Sequence, residues 1–131
     1  HDMPVRGIAT SGWKGRSFSL GIADSVSVLA NNTASADVAA TLIANAVNTD
    51  HLAIERISAS EQDPDSDLGN RLVTVDVGAL DQQTIDAALN AGEKAAIVAE
   101  QAGHISAAVL VLQNTFRVVG TAPVGLIAKA A

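Results

Sequence analysis

Apolar and polar positions first alternate in "SVSVLAN", Ser25 to Asn31, with Val26 and Val28 on one side and Ser25 and Ser27 on the other. A period of two predicts a half-buried strand. In "NTASADVAATLIANAVNTD" the period changes: Val38, Leu42 and Ala46, with Ala39, Ile43 and Val47 beside them, make one apolar face, and Asp37, Thr41, Asn45 and Asn48 line another. This is the spacing of an amphipathic helix, for which Thr33 or Ser35 is the candidate N-cap. "HLAIERIS" alternates again, and so does "RLVTVDV", with Val73, Val75 and Val77 opposite Leu72, Thr74 and Asp76. These predict two more strands. A second helix follows, capped by Asp81, anchored by Ile85 and Leu89, and ended by Gly103 in a left-handed turn. "HISAAVLVLQ" is a nearly continuous apolar strand of the kind found in mid-sheet.

The central order is strand, helix, strand, strand, helix, strand. It predicts an α/β (α+β) fold: a single βαββαβ, ferredoxin-like domain with helices on one face of a mainly antiparallel sheet. Residues 1–24 form an N-terminal arm with a short strand at Ser17 to Leu20. Residues 25–113 are the domain, and 114–131 are an extension with weaker strands at Phe116–Val119 and Val124–Ala128. His1 and Asp2 precede Met3 and read as a cloning remnant.

Composition narrows the function. The net charge is −6 and the eight Lys and Arg are scattered, which argues against a phosphate-binding surface. Only Trp13, Phe18 and Phe116 are aromatic, so stacking platforms for bases are missing too. No apolar run has the length of a membrane span, and the start lacks the apolar core of a signal peptide. The absence of cysteine suits the cytoplasm. Partners in nucleic acid or membrane are therefore not expected.

The stretch "ERISASEQDPDSDLGNRLVTVDV" sets Glu61, Asp63, Asp65 and Asp67 between two strands. Asp63, Asp65 and Asp67 begin like a calcium loop, but Leu68 stands where its glycine belongs and Thr74 where its bidentate acid belongs. A solvated loop is expected, with no metal. His51 and His104 lie at element boundaries, and no serine with a carboxylate is placed to complete a nucleophilic triad. No Walker or GxGxxG motif occurs. Neither catalysis nor a cofactor is expected.

Three pieces carry a resemblance to a known family. "IERI", Ile54 to Ile57, looks like "YEKI" of the bacterial microcompartment shell domain. "LVTVDV", Leu72 to Val77, looks like its "LVTVIV", and "DQQTIDAALNAG", Asp81 to Gly92, like its "gDVGAVKAAVDAG". The resemblance implies a structural shell protein, a homo-oligomer, specifically a hexamer, that tiles with other shell proteins in the cytoplasm. It also implies a central pore for small metabolites. The pore loop would draw on Ser58, Ala59, Ser60, Glu61, Asp63, Asp65, Asp67, Gly69, Asn70 and Arg71. Asn45 would stand at the hexamer edge, where the family usually has lysine. Two other classes remain open: a ferredoxin-like regulatory or ligand-binding module forming a dimer, and a small enzyme using His51 or His104 at a subunit interface.

Overall fold

A computed structural model describes residues 7–15 and 18–121. Its elements are β1 (Gly7–Ser11), β2 (Ser25–Ala30), α1 (Thr33–Ala46), β3 (Ile54–Ser58), α2 (Ala59–Gln62), β4 (Leu72–Val77), α3 (Gln82–Gln101), β5 (Ala107–Leu112) and β6 (Thr115–Gly120). The fold is mixed α and β with antiparallel sheets. Four strands form one sheet in the order β1, β2, β5, β6, and β3 pairs with β4 in a second. The expected single sheet is thus divided: β1, from within the N-terminal arm, occupies the edge of β2. No strand forms in the described part of Ser17–Leu20, and Val124–Ala128 lies outside the described residues.

Facing residues in neighbouring antiparallel strands share a face, so the register sorts the side chains. Val26 opposes Leu110 and Val28 opposes Ala108. With Leu112 these residues meet Ile43 and Val47 near α1 and Ile85 and Leu89 of α3 in the main core. On the other face Leu29, Ala107 and Val109 form a second buried cluster. β5 is apolar throughout because both faces are buried.

Alanine and glycine set the spacing of the helical layer. Ala36, Ala39, Ala40 and Ala44 are the buried small residues of α1. In α3, a Cβ placed on Gly92 would strike Val47, and it would stand 2.9 Å from Leu110 Cδ2. That close approach is why a helix-weakening glycine sits in mid-helix. The helix ends as expected, at Gly103 with φ of 79°. Its Asp81 cap also forms, accepting from the Thr84 backbone N–H at 3.2 Å. For α1 the cap is instead Asn32, whose Oδ1 accepts from the Ser35 N–H at 2.7 Å. Starting one residue earlier lets α1 follow β2 almost without a loop.

The β3–β4 hairpin is tied to the rest of the fold by polar contacts around residues 19–21. Thr74 donates its N–H to Ser19 O at 2.9 Å and its hydroxyl to Gly21 O at 2.7 Å. Arg56 donates to Leu20 O at 2.7 Å, Thr74 Oγ1 at 3.2 Å, Thr49 O at 3.3 Å and Asn48 Oδ1. Desolvation by burial pulls the Arg56 pKa below its ordinary value, while the charge of Asp50 acts in the opposite direction. A single guanidinium thus satisfies carbonyls from two loops, a task suited to its planar fork of donors.

Candidate association surface

The residues proposed for a pore form a closed loop at the end of the β3–β4 hairpin. Ser58 ends β3, and Ala59, Ser60 and Glu61 fall in the short α2. Ala59 is buried, and its N–H donates to Arg71 O at 2.9 Å; the Ser60 N–H donates to Gly69 O at 2.8 Å. Ser60 Oγ lies 3.4 Å from Asn70 Oδ1, and Gly69 turns the chain with φ of 56°. Asp63 Oδ1 accepts from the Asp65 N–H at 3.0 Å, an Asx turn within the loop. Glu61, Asp63, Asp65 and Asp67 are exposed, as is Arg71. Among the described residues no three His, Cys, Asp or Glu side chains gather as a metal site.

Solvated acids whose polar contacts stay within their own loop have little effect on folding. Replacing Asp63, Asp65 and Asp67 together with Asn is expected to move the melting temperature by less than about 3 °C. Calcium is expected to leave it unchanged. A calorimetric scan showing a large loss, or a calcium-dependent rise, would contradict this.

Asn45 is also occupied. Its Oδ1 accepts from the Leu20 N–H at 3.0 Å and from the Ser19 hydroxyl at 3.3 Å, so the carboxamide fastens α1 to the segment before β2. These contacts are internal to the chain.

Neither histidine meets a nucleophile among the described hydrogen bonds. His51 Nδ1 accepts from the Ala53 N–H at 3.0 Å, and Nε2 lies 3.5 Å from Asp81 Oδ1. Both ring nitrogens are therefore directed at structural neighbours. Asp81 Oδ1 accepts from the Thr84 hydroxyl at 2.6 Å, and this bond first, then the cap to the Thr84 backbone, lowers the Asp81 pKa. His104 is exposed just beyond α3.

A different surface draws attention. Between α1 and α3 runs an open groove of about 770 Å³, lined along its length by Ala34, Val38, Leu42, Ala95, Val98 and Ala99. Asn31, Ser35, Gly103 and His104 supply its polar portion. Val38, Leu42 and Val98 are 60%, 63% and 66% exposed. The apolar spacing of α1 was visible in the sequence, but Val38 and Leu42 belong to its outward side. The residues beside them, Ala39 and Ile43, are the ones that enter the core. The apolar face is wider than the core needs, and the excess lies in solvent.

Fold and groove together define a small α+β domain with an apolar helical face. The family model described as AbpE bacteria matches residues 1–118, and the chain belongs to that family. No curated protein and no solved structure matches it. The family match overturns the resemblance to the microcompartment shell domain. Alternating valines and an alanine-rich helix recur in many α+β domains, so those pieces did not discriminate. The hexamer, the pore and the shell location were implied by that resemblance alone and lose that support. Among the described residues no helix is long and apolar enough to cross a membrane.

Proposed function

We propose that this protein is a non-catalytic association module whose working surface is the α1–α3 face, and whose partner is an apolar protein surface of low charge. The observation that carries this reading is the exposure of Val38, Leu42 and Val98 around one groove. Large apolar side chains clustered in solvent mark interaction sites, whereas scattered ones need no explanation. A small ligand is a poorer fit. Sites for small molecules enclose most of the ligand's surface, whereas Val38, Leu42 and Val98 on these walls are more than half exposed. The order β2, α1, β3, β4, α3, β5, with β2 beside β5, favours a ferredoxin-like ancestry for the core.

The test is the double variant Leu42→Asp with Val98→Asp. Because both side chains are exposed, its melting temperature should stay within about 3 °C of wild type. At a dilution where the chains are monomeric, an apolar dye such as anilinonaphthalene sulfonate should bind the wild type and lose most of its fluorescence with the variant. Equal dye binding by both would contradict the reading.

A further inference from the structure

We infer that the partner of the α1–α3 face is the same face on a second copy of this chain, forming a twofold dimer. The inference rests on the association reading above and adds the identity of the occupant. Charge is the first argument. Among its 14 residues, α1 carries a single charged side chain, Asp37. On the neighbouring part of α3, Glu93 lies 4.0 Å from Arg117 Nε, leaving Lys94 and Glu100 as the exposed charges of mixed sign. The net charge of −6 owes much to the β3–β4 loop, with Glu61, Asp63, Asp65 and Asp67. Two such faces meet with little like-charge repulsion at the contact. A basic partner helix would seek an acidic rim, and Asp37 and Glu100 provide only a sparse one.

Shape is the second argument. Val38 and Leu42 are four residues apart and form a ridge on α1, while Ala95 and Ala99, also four apart, form a small-residue row on α3. Ridges at this spacing pack into the grooves of a facing helix, and small residues allow close approach. One face presents both halves of the contact. Twofold symmetry therefore lets each copy's ridge enter the other's groove, which is the requirement for an isologous interface.

Sedimentation equilibrium over a range of concentrations tests the dimer, with Leu42→Asp and Asp65→Asn as variants. The wild type and Asp65→Asn should approach twice the chain mass of 13.3 kDa. Leu42→Asp should raise the dissociation constant by about 100-fold, the effect of losing a central interface side chain. A dimer unaffected by Leu42→Asp overturns this inference, because its interface lies elsewhere, and the association reading then stands or falls with the dye. A wild type that remains monomeric at hundreds of micromolar overturns the inference alone, provided the apolar dye still distinguishes it from the Leu42→Asp, Val98→Asp variant. If the dye does not, both fail.

Discussion

Replacing Arg56 with Met is expected to destabilise the fold by about 2–4 kcal/mol, one of the largest effects of any single substitution outside the apolar core. Methionine keeps an unbranched stem but removes every donor. Leu20 O, Thr49 O and the Asn48 carboxamide then lose the guanidinium that holds them. Partial burial makes the loss costly, since the stranded acceptors are not fully returned to water. Arg56→Lys should recover only part of the stability, because one ammonium does not span carbonyls from two loops. Urea unfolding followed by circular dichroism measures the difference. A loss below about 0.5 kcal/mol for Arg56→Met would show that the hairpin is held by Thr74 and its neighbours alone.

The second large effect concerns the spacing of α3. Alanine at an exposed mid-helix position gains up to about 1 kcal/mol over glycine, so propensity alone predicts that Gly92→Ala stabilises. The geometry predicts the opposite sign. Gly92 is buried, and an added methyl meets Val47 and comes within 2.9 Å of Leu110 Cδ2. Both neighbours are themselves fully buried and have little room to yield. Overpacking of this kind costs about 1–3 kcal/mol and should outweigh the gain. Pairing Gly92→Ala with Val47→Ala should restore part of the loss, a coupling visible in a double-mutant cycle. An increase in stability for Gly92→Ala alone would mean that α3 shifts away from the sheet at little cost.

Local chemistry was readable from the sequence wherever one residue acts on its immediate neighbours. Asp81 caps α3 and Gly103 ends it because capping depends on positions a few residues apart. The alternation in β2 located a strand but promised a half-buried one, whereas both of its faces are covered and Ser27 is buried with its neighbours. What stayed hidden depends on contacts distant in sequence. Thr74 lies between valines and looks like the solvent side of a strand, yet it is buried by bonds to residues 19 and 21. Nothing near Arg56 announces that it will meet the carbonyl of Leu20. The arm offered no alternating signal strong enough to place β1 beside β2, and this pairing divides the expected sheet.

The association surface was half legible. The period of α1 located its apolar positions, but hydrophobic spacing does not say how much of a broad face a single domain will cover. The core takes Ala36, Ala39, Ala40, Ile43 and Ala44, and leaves Val38 and Leu42 outside. By contrast, the acidic loop drew notice through its composition alone. Its backbone bonds close it on itself, and composition carries no information about that closure.

Whether the α1–α3 face is covered in solution is measured most directly by amide hydrogen exchange at two protein concentrations. Concentrated protein should exchange more slowly than dilute protein in residues 34–42 and 95–103, with residues 59–71 of the acidic loop unchanged. Exchange that is independent of concentration in both helices, or slowed in the acidic loop instead, would contradict self-association through this face.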